Sequence, residues 1–311
     1  MNSKSTALIG IGYWGKVHLK YLKNIKKISI SKIFFHKNKS ILKDKIIKKY
    51  NLTNKLNDIL NDKSIKFVDI VTPIKTHAEL VIKFLKSGKK VLVEKPLLMN
   101  HDQERKILSL NKNSSNLTVS YPYLFSKSLN FVHKILKEKK IGKLKYIEIN
   151  LQQSGRFMKY GVNYLLGPHA ISVLSMFFDI SKIKFELKKI IESGNKCETS
   201  LILCTYKNKL VSTINLSLNY AASSSKKVFV FYCDKGTIIS DLNNNKKTVI
   251  SYLYKRIIKK NFTVAKKFQF KSHFFDESNN MRYVLESFLN KNKNLNNFKL
   301  TKKINLFLKS G

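Results

Sequence analysis

Three short segments hold the residues whose types and spacing could do chemistry. Gly10, Gly12 and Gly15 form G-x-G-x-x-G, with Tyr13 and Trp14 inside it. The motif follows the apolar run Ala7-Leu8-Ile9 and precedes a helical pattern from Lys16 to Asn24. In a strand–turn–helix unit the first glycine permits the tight turn and the second lets backbone approach a pyrophosphate. The third allows close helix–strand packing, and the helix N-terminus offers amides and partial positive charge to the phosphates. The ligand this pattern fits is a dinucleotide.

The second segment is Glu94-Lys95-Pro96, which closes the apolar run Val91-Leu92-Val93. A lysine at the carboxyl end of a strand, fixed by proline and flanked by a carboxylate, is placed for proton transfer. Beside an oxidised nicotinamide its pKa falls toward that of a usable base. With lysine so abundant in the chain, the position alone does not carry the assignment. The third segment is Val71-Thr72-Pro73-Ile74-Lys75-Thr76-His77. Thr72 and Pro73 stop a strand at the edge where ligands bind, and Thr76 is expected to cap the next helix with His77 in its first turn. On spacing alone His77 reads as structural rather than catalytic. The second strand ends in Phe34-Phe35-His36-Lys37, with no acid to hold the ribose 2′-hydroxyl of NAD. His36 and Lys37 make a basic tip that suits the 2′-phosphate of NADP, so the cofactor reads as NAD or NADP with a lean to NADP.

The elements that must position these groups alternate. Strands are expected at Ala7–Ile9, Ile28–Phe35, Phe67–Val71, Val91–Val93 and Leu117–Ser120. Helices are expected at Lys16–Asn24, with Val17, Tyr21 and Leu22 on one face, and at Ser40–Tyr50, Thr76–Ser87 and Asp102–Leu110. This alternation predicts a Rossmann-type, doubly wound parallel sheet over residues 1–120. Residues 121–311 read differently. A helix at Ser126–Lys139 precedes consecutive strands at Lys145–Gln152, Ser200–Tyr206, Leu210–Leu218, Lys227–Tyr232 and Thr237–Ser240. Helices are expected at Leu166–Phe178, Glu277–Asn290 and Thr301–Leu308, and a hairpin turn at Asn243-Asn244-Asn245. The second domain is therefore expected to be α/β with a mostly antiparallel open sheet.

Composition narrows the function classes. The 311-residue chain carries 60 basic and 19 acidic residues, a net charge of +41. Only four of the basic residues are arginine (Arg105, Arg156, Arg256 and Arg282), and the lysines are spread along the chain among Asn and Ile. Specific nucleic-acid readers lean on arginine. The charge therefore reads as compositional drift, giving salt-sensitive sticking to polyanions and no specific nucleic-acid partner. Cys197, Cys204 and Cys233 are too few and scattered for a disulfide scaffold or a zinc site, so no metal is expected. No run approaches the ~18 apolar residues of a spanning helix, and the glycine turn follows Met1 too closely for a signal peptide. A cytoplasmic location without membrane attachment is expected.

The ordered set GIGYWG, VTPIKTH and VLVEKP resembles the glucose–fructose oxidoreductase / inositol dehydrogenase (Gfo/Idh/MocA) family of NAD(P)-dependent oxidoreductases. IGKLKYIEI, Gly167-Pro168-His169-Ala170-Ile171-Ser172, KLVSTINLSL and Lys235-Gly236-Thr237-Ile238 extend the likeness through the second half. The resemblance implies hydride transfer at a hydroxyl-bearing carbon of a carbohydrate, and a homo-oligomer formed through the open sheet. It implies that Lys95 takes or gives the hydroxyl proton, with His169 assisting. It also implies that Thr72, Pro73 and His77 lie on the cofactor's nicotinamide side and Glu94 near its ribose. The segment from Gln152 to Phe157 looks closest to sugar-nucleotide-oxidising members. Arg156 there would grip a phosphate or carboxylate, with a plain surface arginine as the equal alternative. Two positions depart from the family. Leu165 stands where many members have an aspartate four residues before the histidine, and Ala170 replaces the acid after it. Any proton relay must then run on Lys95 and His169, with Tyr164 or Tyr160 as further candidates at the substrate. The alternative is a nucleotide-binding member that has lost dehydrogenation and serves as a sensor or scaffold.

Overall fold

The computed structural model describes residues 4–26, 28–36, 39–111, 116–154, 160–243, 247–259, 262–290 and 297–310. Of these, 39–40, 247–259, 262–270 and 310 are described by backbone alone. Two compact units divide the chain, one of residues 1–121 and 281–305, the other of 122–280 and 306–311. Residues 281–305, which the sequence reading kept with the second domain, therefore group with the first.

The first unit begins with β1 (Lys4–Ile9), α1 (Tyr13–Leu22) and β2 (Ile28–Phe34). β3 (Leu52–Thr53), α2 (Asn57–Leu60), β4 (Phe67–Ile70) and α3 (His77–Lys86) follow. β5 (Lys90–Glu94), α4 (His101–Leu110) and β6 (Leu117–Ser120) complete the alternation. All five strand pairings are parallel, in the order β3-β2-β1-β4-β5-β6. The central strands are apolar on both faces because helices cover both: Ala7, Leu8, Ile9, Val68, Ile70, Val91, Leu92 and Val93 are all inaccessible to solvent. The strand order reverses between β1 and β4, so a ligand crevice is expected at their carboxyl ends.

Three local readings need correction here. The helix expected at Ser40–Tyr50 is two 3-10 turns, Lys39–Lys43 and Ile47–Lys49. Asp44 is the cause: its Oδ1 accepts the N–H groups of Ile46 (3.0 Å) and Ile47 (3.3 Å), offering the backbone an alternative to the helical ladder. The buried face of α1 is Gly15, His18, Leu19 and Leu22, not one centred on Val17 and Tyr21. Thr76 stands at the cap of α3, yet its hydroxyl donates to the Pro73 carbonyl (2.7 Å) and caps no helical amide. The far end of α3 does behave as its glycine suggests, with Gly88 at φ +74° and Lys89 N–H returning to the Phe84 carbonyl (3.1 Å).

The second unit opens with α5 (Lys127–Lys137), capped by Ser126, whose Oγ accepts from Leu129 N–H at 3.1 Å. β7 (Leu144–Gln152), α6 (Val162–Leu165) and α7 (Gly167–Leu174) lead into β8 (Ile183–Ser193), β9 (Lys196–Tyr206) and β10 (Lys209–Ser217). β11 (Lys226–Cys233), β12 (Gly236–Asp241), β13 (Lys247–Lys259) and β14 (Phe262–Phe275) complete the sheet. α8 (Asn280–Leu289) and α9 (Phe298–Ser310) close the chain. The eight strands run β14-β13-β12-β11-β7-β10-β9-β8, and only β7 and β10 pair in parallel. The fold class is thus a parallel Rossmann sheet followed by an α/β unit with a mostly antiparallel sheet. The helix expected at Leu166–Phe178 is the shorter α7, ending at Leu174 and preceded by the unanticipated α6, with Pro168 in the first turn of α7 where its missing N–H costs nothing. β8, β13 and β14 were not anticipated. The hairpin turn expected at Asn243–Asn245 falls largely outside the described residues. Cys197, Cys204 and Cys233 are buried and unbonded to one another. Among the described residues, no helix is long and apolar enough to cross a membrane.

Candidate dinucleotide and proton-transfer site

The glycine turn links β1 to α1, and its three glycines meet different surroundings. Gly10 adopts φ +98°, and a Cβ there would lie 2.6 Å from the Val71 carbonyl oxygen. A Cβ on Gly15 would overlap the Gly10 carbonyl, so β1 and α1 approach only as glycines. A Cβ on Gly12 would meet nothing within 4 Å. Gly12 is the N-cap of α1, no side chain caps the helix, and its first turn holds no acid. The first-turn amides of a helix have no carbonyl partner within it, and the partial positive charge at that end favours an anion. Tyr13 and Trp14 stand exposed at this turn with their rings edge to face, 5.5 Å between centroids. Open backbone at Gly12 and oriented amides on α1 fit the pyrophosphate of a dinucleotide.

One turn into α1, the buried His18 ring bridges two strands. Its Nδ1 lies 2.8 Å from Asp69 Oδ2 on β4, and its Nε2 lies 3.2 Å from Glu94 Oε1 at the end of β5. Burial opposes charge on the ring, but the Asp69 carboxylate, by charge and hydrogen bond, and then Glu94 outweigh it and push the pKa up to about 10. Both nitrogens face acceptor-only carboxylates, so both must carry protons. The Glu94 carboxyl is penalised by burial, yet the His18 hydrogen bond and charge, Lys95 and Ser120 hold it below its usual range. Its Oε2 also accepts the Lys95 backbone N–H at 3.2 Å. Burial lowers the Lys95 ammonium, and Glu94 partly restores it. Although His, Asp and Glu meet here, each ring nitrogen is taken by a proton shared with a carboxylate. The described residues hold no cluster fit for a metal ion.

This charge pattern carries a pH expectation. The folded pKa of His18, about 10, lies above its ordinary 6.5. The stabilisation it brings is complete below about pH 6.5 and is lost as pH rises through about 10. Calorimetry should show the Tm gap between the wild type and His18→Gln narrowing across that window. A pH-independent gap would mean a neutral ring.

The β4 loop is strapped to the loop after β5 by His77. Its Nδ1 is 3.0 Å from the Pro96 carbonyl and its Nε2 2.8 Å from the Thr72 carbonyl, in a nearly inaccessible position. Burial lowers its pKa. The ring therefore lies between two loops, while Thr72 and Pro73 lie toward the surface of the same turn. Thr72 and Thr76 join hydroxyl to hydroxyl at 2.7 Å. His36 is exposed just past β2, and Lys37 lies outside the described residues, as does Arg156.

Lys95 belongs to the first unit and His169 to the second. Within the second, His169 on α7 packs its ring against Tyr123, 4.9 Å between centroids at 35°. Burial first, and then the Glu277 charge, keeps the Tyr123 phenol protonated far above its usual range. Tyr164 on α6 donates its hydroxyl to the Leu308 carbonyl at 3.1 Å, which ties it to the end of α9. Ala170 is wholly inaccessible, so the family's acid at that place would be a buried charge in α7. Sequence reasoning missed His18, Asp69 and Tyr123. A histidine three residues after Gly15, on the packed face, was the available signal for the first.

Comparison with known proteins adds four matches. A family model described as an oxidoreductase family with an NAD-binding Rossmann fold matches residues 4–121. An uncharacterized oxidoreductase of Escherichia coli, YhhX, is 27% identical over 212 residues, covering 62% of this chain and 59% of that protein. The levoglucosan dehydrogenase of Pseudarthrobacter phenanthrenivorans is 25% identical over 155 residues, 46% of this chain and 40% of that one. The chain thus spans about 60% of the length of the first curated relatives it matches. In fold it is similar to KijD10, a 3-ketoreductase from Actinomadura kijaniata in complex with NADP and TDP-benzene. The TM-score is 0.78 at 14% identity, over 98% of this chain and 96% of that one.

Proposed function

Because the chain belongs, through residues 4–121, to the Gfo/Idh/MocA oxidoreductase family with its NAD-binding Rossmann fold, we propose that it is an NAD(P)-dependent dehydrogenase or reductase acting on a hydroxyl-bearing carbon of a sugar or sugar nucleotide. The observation that carries this is the joining of α1, behind the open glycine turn, to Glu94 and Lys95 through His18. A bound nicotinamide nucleotide would supply or accept the hydride. Gly12 and the first-turn amides of α1 would hold its phosphates, with Tyr13 and Trp14 beside them. Thr72 and Pro73 would line its nicotinamide side, on loops fixed by His77, and Glu94 would lie near its ribose. In the oxidising direction Lys95 Nζ takes the hydroxyl proton as the carbinol carbon gives up its hydride, leaving a carbonyl. In the reverse direction the Lys95 ammonium returns that proton. Burial favours the neutral amine that the first of these steps needs. His169 assists, as the family resemblance implies, and Arg156 and Tyr164 are its substrate-side companions. His36 and Lys37 favour NADP, and the NADP in KijD10 supports that choice. The carbohydrate class rests on the levoglucosan dehydrogenase relative and on the TDP-benzene complex. A cytoplasmic homo-oligomer joined through the second unit's sheet completes the reading.

A panel of sugars, TDP-sugars and UDP-sugars, offered with oxidised and reduced nucleotides, tests it by absorbance of the reduced nicotinamide. Turnover of at least one pair is expected. Leu165 and the buried Ala170 favour a second reading, a nucleotide binder without dehydrogenation. Tight binding with no turnover on any pair would select it, and Leu165→Asp would then be expected to restore measurable turnover.

A further inference from the structure

Lys95 does not stand beside an isolated carboxylate. Glu94 is the end of a chain of buried charges that starts at Asp69 on β4 and passes through His18 on α1. Asp69 Oδ1 is buried without a hydrogen-bond partner among the described residues, so this carboxylate leans on the His18 ring. A carboxylate buried in that way requires a cation beside it. The Glu94 carboxylate in turn accepts from His18 Nε2 on one oxygen and from Lys95 N–H on the other. That arrangement fixes both its orientation and its distance from the start of the lysine side chain.

We propose that His18 is a positioning residue for Lys95: through the Asp69–His18–Glu94 chain it holds the Glu94 carboxylate oriented and half-neutralised, and so sets the pH at which Lys95 takes a proton. The inference rests on the reading of Lys95 as the proton-transfer group. The groups facing Glu94 and Lys95 come from every element around them. His18 comes from α1 and Asp69 from β4. His77 comes from α3, where burial and the Lys95 charge lower its pKa and the Pro96 and Thr72 carbonyls raise it. Ser120 and Tyr121 come from the end of β6, and burial raises the Tyr121 phenol well above its usual range. Of these, His18 is the cation in direct contact with Glu94, and its charge offsets the carboxylate that holds a proton on Lys95. Removing that charge leaves Glu94 to act on Lys95 alone, and the lysine must then hold its proton to higher pH.

Trace acetylation with acetic anhydride across pH, read peptide by peptide by mass spectrometry, reports the pKa of Lys95 without any turnover. It therefore separates this inference from the proposed activity. In His18→Gln the Lys95 titration is expected to move up by about one pH unit, a tenfold smaller neutral fraction below it. Where a substrate pair is found, the acid limb of kcat/KM in the oxidising direction should move by the same amount, with the rate recovering at high pH. A uniform loss of rate at every pH, or a Lys95 titration unmoved or lowered, would overturn the proposal. Should His18→Gln not fold, 15N-histidine NMR of the wild type decides. Both ring nitrogens of His18 are expected to stay protonated at pH 8, and a neutral ring there would overturn it equally.

Discussion

Lys95→Met is expected to lower turnover of the protein's substrate by about 10²–10⁴-fold, the range a positioned general acid–base contributes. The Kd for NADH or NADPH should stay within about threefold of the wild type, because the phosphates are held elsewhere. Methionine keeps the apolar stem that packs at the end of β5 and removes only the nitrogen that carries the proton. Burial holds the Lys95 ammonium below its usual range, which favours the neutral amine that accepts the proton. In the oxidising direction the rate should therefore rise with pH through the Lys95 titration and then level. A variant as active as the wild type, in single-turnover and steady-state assays alike, would sink the role given to Lys95. A loss confined to nucleotide affinity would move Lys95 from the chemistry to the cofactor.

The second large effect separates the three glycines by stability. Gly10→Ala places a side chain at φ +98° and 2.6 Å from the Val71 carbonyl oxygen. Gly15→Ala drives a methyl group into the Gly10 carbonyl, and neither backbone can yield without moving β1 or α1. Each should cost about 3 kcal/mol or more, enough to lower Tm by roughly 10 °C. Gly12→Ala meets nothing within 4 Å and should cost only about 1 kcal/mol, the difference between glycine and alanine at an N-cap. Thermal unfolding of the three variants side by side checks the order. Equal losses for all three would mean that the turn is read wrongly.

The first unit was legible because its strands are covered on both faces and read as uninterrupted apolar runs. Ala7–Ile9 and Val91–Val93 are two of these, each closed by a turn residue. What stayed hidden was long-range or masked by composition. His18 looked like one polar residue on a helix whose packed face was read from Val17 and Tyr21; a shift of one position brings it inside. Nothing local marks its partners, Asp69 and Glu94, because each lies fifty or more residues away in sequence. The strand β8, Ile183–Ser193, alternates Ile, Phe and Leu with lysine and glutamate, and in a chain so rich in lysine that alternation reads as surface helix or loop as easily as strand. β3 has two residues and no pattern of its own. Its place depends on Phe35 N–H reaching Thr53 and on Ile33 N–H reaching Asn51, pairings that only the folded sheet defines.

The central claim is that a nicotinamide dinucleotide seats its phosphates on the turn at Gly12. Titration calorimetry of wild type and Gly12→Ala with NADPH and NADH tests it, at ~150 mM salt to suppress loose attraction to a chain of net charge +41. The substitution leaves the charge untouched, so sticking of polyanions to lysines would be the same in both proteins. Saturable binding of one nucleotide per wild-type chain is expected, weakened in Gly12→Ala by about a hundredfold, roughly 2.7 kcal/mol, with the fold intact. Equal, salt-labile binding by the two proteins would contradict the account.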